Sequence, residues 1–203
     1  MEYHICNTPL FVLTEVDSQV NIPQFCEEAE AILPPHLFHN IDVIYIGEFP
    51  ELNNRNALFS DGGIYITSKE PTNFDMLEDL VHEIAHALEE NNHWDIFDSD
   101  LEREFLGKRH KLYQILNAEG YHLNPMRYSD LEYNESFDKF LSDTVGYPTL
   151  VSLTIGLFIS PYGATSFNEY FANGLENYVL EDPHRVKQIS PVLYRKINEI
   201  FNG

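Results

Sequence analysis

Residues 81–88 read Val-His-Glu-Ile-Ala-His-Ala-Leu, and the prediction of the fold starts from this stretch. Successive residues of a helix are rotated by about 100°, so His82 and His86 lie on one face, one turn apart. Two imidazole rings in that arrangement can bind the same metal ion. Glu83 lies between them, where its carboxylate can take a proton from a water molecule that the metal activates. This spacing on a helix is typical of zinc-dependent hydrolases.

The surrounding sequence predicts a helix over 73–91. A capping box, Thr-Asn-Phe-Asp, occupies 72–75. Apolar residues then follow at helical spacing: Met76, Leu77, Leu80, Val81, Ile84, Ala85 and Leu88. The alternative is that both histidines are ordinary core or interface residues, each bonded to a carbonyl group. We favour metal binding, because a core rarely carries two histidines and a glutamate on adjacent turns without using them.

A catalytic zinc ion needs a third protein ligand and an open fourth position. One peptidase pattern places a further histidine ten residues after the first, but position 92 is asparagine and His93 comes one residue late. The predicted helix end at 91–92 also makes His93 a poor ligand. The nearby pattern therefore does not complete the site.

Glu169 is a stronger candidate for the third ligand. It lies in the first turn of a second predicted amphipathic helix, whose apolar residues recur at helical intervals: Phe167, Tyr170, Phe171, Leu175, Tyr178 and Val179. Ser166 and Glu169 also fit a capping box, in which the carboxylate only serves the helix start. Spacing alone does not choose between the ligand and the cap.

These motifs resemble the catalytic domain of anthrax lethal factor and its relatives, the Pro-Pro endopeptidases. The resemblance lies in the His-Glu-x-x-His helix, in Glu-Tyr-Phe-Ala at 169–172, and in Tyr162, seven residues before that glutamate. In these gluzincins the glutamate is the third zinc ligand and the tyrosine stabilises the oxyanion. The resemblance thus implies one Zn²⁺ ion bound by His82, His86 and Glu169, with Glu83 and Tyr162 as catalytic residues. For Tyr162, a plain packing role is the alternative.

The resemblance further implies an α+β, zincin-like fold: a small mixed sheet with an edge strand over the metal-binding helix, and a mostly helical C-terminal half. Residues 56–67 fit this expectation, since they read as two short strands around an Asp-Gly-Gly turn. One of these strands is expected at the sheet edge, where a substrate peptide can add as an extra strand. A hairpin without a role in substrate binding is the alternative.

The chain also departs from the family. The interval between His86 and Glu169 is longer than is usual in the relatives, so we expect a helical insertion at about 95–160 within a single domain covering 1–203. Long insertions near a cleft tend to carry specificity or regulation. The resemblance covers about 41–180.

Other elements follow from local patterns. We expect a strand over 3–16, a helix over 23–33, a buried strand over 41–46 and a helix over 100–118 that ends near Gly120. Residues 124–147 are mixed and partly helical, 149–159 form a fully buried helix, and one or two helices follow Pro183. Residues 144–168 contain no charged residue, but glycine and proline interrupt their short apolar core, so a membrane span is not expected.

The chain of 203 residues carries 12 basic and 33 acidic residues, a formal charge of −21. Such a charge repels nucleic acid and attracts basic peptides, although a solvated acidic surface is the simpler explanation. The family resemblance suggests basic or proline-rich substrates. Cys6 and Cys26 are expected as reduced thiols, and the N-terminal residues do not resemble a signal peptide, so we expect a cytoplasmic protein. Export by another route, or delivery into a host, stays open.

We carry three hypotheses of function forward. The leading one is a zinc-dependent endopeptidase of the gluzincin type. The second is another intracellular metallopeptidase class, resembling repressor-cleaving peptidases, with a nearer acidic ligand such as Glu89, Glu90 or Asp95. The third is a non-catalytic interaction protein that binds zinc only for folding. Glu83 argues against the third, because a structural zinc site has no use for a general base.

Overall fold

The computed structural model describes residues 1–52 and 55–203, without the side chains of residues 91 and 94. The fold is α+β, as predicted. Two compact units make up the chain: Met1–His93 together with Ile200–Gly203, and Trp94–Glu199. The single-domain organisation expected from the sequence stays a prediction.

A mixed sheet of five strands lies in the first unit, in the order β1-β2-β3-β5-β4. The strands are β1 (Glu2–Ile5), β2 (Thr8–Val12), β3 (Val43–Gly47), β4 (Ala57–Ser60) and β5 (Gly63–Thr67). The pairs β1-β2 and β4-β5 are antiparallel hairpins, whereas β3 is parallel to both β2 and β5. Strand β4 is therefore an edge strand, as expected.

The strand character predicted over 3–16 is confirmed up to Val12, but this part of the segment forms the hairpin β1-β2 and not one continuous strand. Cys6 and Asn7 make the turn with φ of 50° and 72°, the two positive values that a two-residue type I′ turn requires. A two-residue turn does not interrupt the alternation of apolar and polar residues. The pattern therefore read as one continuous strand.

The hairpin β4-β5 confirms the expectation for 56–67. Asp61 and Gly62 form its turn, with φ of 50° and 76°. A Cβ atom at Gly62 would lie 2.7 Å from the Asp42 carboxylate. The turn therefore requires glycine for its backbone conformation and for space.

Helix α1 (Ile22–Ile32) belongs to the first unit, and α2 (Asn73–Ile96) lies in it up to His93. Residues on one face of the central strands are fully buried, namely Ile44, Ile46, Ile64 and Ile66. The apolar face of α2 is also buried, including Met76, Leu80, Val81, Ile84 and Ala85. Asn92 leaves helical geometry at φ −121°. The predicted helix end is thus a kink, after which α2 continues for one more turn.

The second unit is helical. Its elements are α3 (Ser99–Ala118), α4 (Glu135–Lys139), α5 (Tyr147–Leu153), α6 (Phe167–Leu180), α7 (Pro183–Ile189) and, up to Glu199, α8 (Pro191–Asn202). Gly120, at φ 86°, follows the end of α3, as the sequence predicted. The mixed character expected for 124–147 is confirmed, since a 3₁₀ turn, α4 and a wide π turn share this stretch.

The fully buried helix predicted over 149–159 was wrong. Helix α5 ends at Leu153, while Val151 is 53% exposed and Ile155 is 83% exposed. Gly156 adopts φ 74°, which no helix continues through. Apolar composition predicted burial here, but the flanking glycines confine the helix to two turns. None of the described helices is both long and apolar enough to cross a membrane.

Candidate metal centre

The two motif histidines lie on adjacent turns of α2, as predicted. The centroids of their rings are 5.0 Å apart at an interplanar angle of 75°, and both side chains are half-buried. The predicted capping box begins this helix: the Asp75 N–H donates to Thr72 Oγ1 at 3.2 Å, and the Thr72 hydroxyl donates to the Asp75 carboxylate. Local sequence therefore positions both rings.

Glu89 orients the ring of His86. Its carboxylate Oε2 lies 3.1 Å from His86 Nδ1, and its side chain is 5% exposed. When Nδ1 carries the proton and donates to this carboxylate, Nε2 is the nitrogen available to a metal ion. The second hypothesis considered Glu89 as a metal ligand. Its position on His86 favours an orienting function instead.

Glu83 faces the edge strand of the sheet. Its carboxylate accepts a hydrogen bond of 2.6 Å from the Phe59 N–H of β4. The Asn56 carbonyl accepts from the N–H of Thr67, the last residue of β5, at 2.7 Å, and main-chain groups alternate in direction along an antiparallel strand. The groups of Ala57 and Phe59 therefore point away from β5. Glu83 thus contacts the outer edge of the sheet formed by the described residues, to which an extended peptide can add.

Glu70 and Asp79 form a carboxyl pair near the motif that sequence reasoning missed. Burial, followed by the negative charge of Glu70, raises the pKa of Asp79 to about 8. Burial also raises the pKa of Glu70. His82 and Glu83 are near enough to influence the charge of Asp79. The pair therefore retains one proton at neutral pH.

Glu169 lies in the first turn of α6, as predicted. Ser166 Oγ accepts from the Glu169 N–H at 3.1 Å, so the serine caps the helix. The carboxylate of Glu169 is hydrogen-bonded to the Tyr162 hydroxyl. Burial, followed by the charge of Glu169, raises the pKa of Tyr162 well above its usual value. The cap thus uses the main chain of Glu169, while its carboxylate faces the predicted oxyanion tyrosine.

A second group of phenols, also missed from the sequence, lies close to this pair. Tyr133 and Tyr147 donate to the two oxygens of the Asp138 carboxylate, at 2.8 and 3.2 Å. Burial and then Asp138 raise the pKa of Tyr133 to about 12, with a smaller contribution from Glu169. The intervals between these residues match no recognised motif, so only the folded chain shows them together.

His82, His86 and Glu169 form a potential metal-binding group. One ligand atom from each lies within 4.8 Å of the other two. Two imidazoles and a carboxylate are a donor set that zinc uses in catalytic sites, where three protein ligands leave the fourth position open. Within the described part of the chain this group does not include His93, Glu90 or Asp95. The residues present therefore fit a zinc ion.

Comparisons of the chain with protein-family models, with curated proteins and with solved structures found no match. The functional conclusion therefore depends on the motif and on the geometry around it.

Proposed function

We propose that the chain is a zinc-dependent endopeptidase with a zincin-like fold, of the gluzincin type. One observation carries the proposal: the Glu83 carboxylate bonds to the outward-pointing Phe59 N–H of the edge strand. The histidines on either side of Glu83 belong to the candidate ligand group. A general base between metal ligands and beside a free strand edge is the arrangement that peptide hydrolysis needs.

His82, His86 and Glu169 would hold the zinc ion. When bound, zinc supplies a Lewis acid that polarises the scissile carbonyl and lowers the pKa of water to about 7. Glu89 supports this ligand set, because its bond to His86 Nδ1 leaves Nε2 for the metal.

Glu83 is the general base. Its carboxylate takes the proton of the attacking water and then gives it to the departing amide nitrogen. The peptide would lie along β4, pairing with the outward main-chain groups of Ala57 and Phe59. Binding of the peptide then competes for the Phe59 N–H, which releases one oxygen of Glu83 from its present bond.

Tyr162 donates a hydrogen bond to the oxyanion that develops on the substrate. Its raised pKa keeps the phenol protonated at neutral pH, which a donor requires. In the free protein this hydroxyl is bonded to the Glu169 carboxylate. The substrate oxyanion would replace that acceptor.

The substrate is a peptide or an exposed protein segment. The formal charge of −21 favours basic sequences near the cleft, and the family resemblance adds proline-rich ones. Neither the charge nor the resemblance fixes a specificity pocket.

A diverse peptide library, analysed by mass spectrometry after incubation with zinc-loaded protein, tests the proposal. We expect the wild type to cleave a defined subset and Glu83→Ala to cleave none, although both bind zinc. Glu27→Ala, which removes an exposed carboxylate of α1, should cleave like the wild type. If zinc binds and no peptide is cleaved by any of the three proteins, the endopeptidase assignment fails and the zinc-stabilised interaction protein is favoured.

A further inference from the structure

A buried guanidinium connects two loops of the second unit. Arg109 belongs to α3, inside the region predicted as an insertion, and is 1% exposed. Its Nη1 donates to the carbonyl oxygens of Ala164 and of Thr165, the latter at 3.2 Å. Its Nη2 donates to the carbonyl oxygens of Arg127, at 2.5 Å, and of Asp130, at 3.3 Å. One side chain thus binds four main-chain acceptors.

The first of these loops joins Tyr162 to Glu169. The amide and the hydroxyl of Thr165 both donate to the Tyr162 carbonyl, at 2.9 and 2.8 Å. Ser166, the next residue, caps the helix by accepting from the Glu169 N–H. Arg109 therefore holds the middle of the turn that lies between Tyr162 and Glu169.

The second loop, 127–130, leads to residues that lie near the Glu169 carboxylate. After 127–130, the Leu131 carbonyl accepts from the N–H of Phe167, the first residue of α6, at 2.8 Å. The chain continues to Tyr133, whose phenol is close enough for Glu169 to influence its pKa. Both loops that Arg109 binds thus border Glu169.

Only arginine suits this position. A planar guanidinium presents five N–H donors in a fixed geometry, whereas an ammonium group has three and no plane. The guanidinium carbon of Arg109 lies 4.1 Å from the centroid of the Phe137 ring, which gives the cation an aromatic contact. Burial lowers the pKa of Arg109 to about 10, so the group still carries its charge at neutral pH.

We propose that Arg109 is a positioning residue for the candidate metal centre, which fixes the Glu169 carboxylate and the Tyr162 hydroxyl by holding the loops on both sides of them. This gives helix α3, part of the predicted insertion, a function in building the site. The catalytic meaning of the inference rests on the proposed function, but its structural content does not.

The test compares Arg109→Lys with Lys108→Met. Lys108 is a matched control, because it is also buried, it is adjacent in α3, and its Nζ donates to two main-chain carbonyls at 2.6 Å. Those carbonyls belong to Leu157 and Ile189, outside the two loops that Arg109 holds. Phe137→Leu, which removes the aromatic contacts with Arg109 and with Tyr128 but keeps the guanidinium, serves as a milder variant if Arg109→Lys does not fold.

Hydrogen exchange of the metal-free proteins, measured by mass spectrometry, is the first measurement. We expect Arg109→Lys to accelerate exchange selectively at 127–133 and 162–169, and Phe137→Leu to do so less strongly. Lys108→Met should accelerate exchange near 157 and 189 and leave 162–169 unchanged. The proposal would be overturned if Arg109→Lys and Lys108→Met accelerated exchange at 162–169 equally, or if neither variant accelerated it there.

Zinc competition titration and steady-state kinetics are the second measurement. Supporting groups around a metal ligand typically change its affinity by about 10- to 100-fold, and we expect a loss in that range for Arg109→Lys alone. On a cleaved peptide, kcat should fall while KM changes little. If the wild type binds no zinc, the proposed function fails, while hydrogen exchange still decides whether Arg109 positions the two loops.

Discussion

Helix α2 and the start of helix α6 both carry candidate ligands, but different interactions fix their side chains. On α2, Glu89 bonds to His86 from three residues away, and Glu83 bonds to the adjacent strand. Before α6, Arg109 holds the turn through the Ala164 carbonyl, 55 residues further along the chain. The first half of the site follows from local sequence, whereas the second depends on contacts that form only when the chain folds.

Among the variants that probe this difference, Glu83→Gln should have the largest effect on cleavage, because it removes the proposed general base and keeps the shape of the side chain. We expect cleavage to fall by about 10²- to 10⁴-fold, the usual contribution of positioned proton transfer. Zinc affinity should stay within a few-fold, since Glu83 is not a ligand. Initial rates on a cleaved peptide and a zinc titration check both points, with Glu27→Gln as control. A large loss of zinc affinity would instead make Glu83 part of the ligand set.

Glu89→Gln tests how much the local bond on α2 contributes. The amide cannot match the carboxylate as a partner for the His86 ring N–H, so zinc should bind about 10- to 100-fold more weakly. Competition with a chelator measures the change. Complete loss of zinc would favour the second hypothesis, in which Glu89 is itself a ligand.

Gly174→Ala tests the packing that supports α6. A Cβ atom there would lie 2.5 Å from Leu193 Cδ2 of α8. Overpacking costs roughly 1–3 kcal/mol and the better helix propensity offsets about 1 kcal/mol, so we expect a net loss of about 0–2 kcal/mol. Chemical denaturation measures the free energy of unfolding.

Gly107→Ala is the matched control on α3. A Cβ atom at Gly107 meets nothing within 4 Å, so the variant should be more stable by about 0.5–1 kcal/mol. Stabilisation by both alanine variants would contradict close packing of α6 against α8.

Asp79→Asn should have the smallest effect at low pH, where the aspartate is protonated and neutral like its replacement, and its effect on stability should grow as pH rises. The pKa of about 8 in the folded protein lies above the value near 3.9 of an unfolded aspartate. Between these values the folded state binds more protons, so the free energy of unfolding falls as pH rises from about 4 to 8. We expect Asp79→Asn to show a weaker fall than the wild type in metal-free denaturation at pH 5 and pH 8.5. Glu15→Gln, at an exposed position, should follow the wild type.

Much of the fold could be predicted because its signals are local. The turn at Asp61 and Gly62, the helix around His82 and the end of α3 near Gly120 all depend on neighbouring residues. The hairpin at Cys6 was missed because a two-residue turn preserves alternation. The segment around Ile155 was misread because apolar composition does not specify burial.

The residues of the candidate site also fall into two groups, those that the sequence indicates and those that only the folded chain shows. His82, Glu83 and His86 form a motif, and family resemblance identified Glu169 and Tyr162. Sequence could not identify Glu89, Asp79 or Arg109 as supporting residues. Glu89 acts through a contact within its helix, Asp79 is perturbed by burial, and Arg109 bonds to a residue 55 positions away in the sequence. None of these interactions leaves a periodic pattern in the sequence.

Zinc titration of the wild type beside Glu169→Ala and Glu90→Ala tests the central claim most directly. Glu90 is exposed on α2 and is one of the nearer acidic candidates of the second hypothesis, with Glu89 and Asp95, so the pair compares the two assignments. We predict that the wild type and Glu90→Ala each bind one zinc ion with similar affinity, and that Glu169→Ala binds at least 100-fold more weakly. Wild-type affinity in Glu169→Ala, with loss in Glu90→Ala, would contradict the gluzincin site.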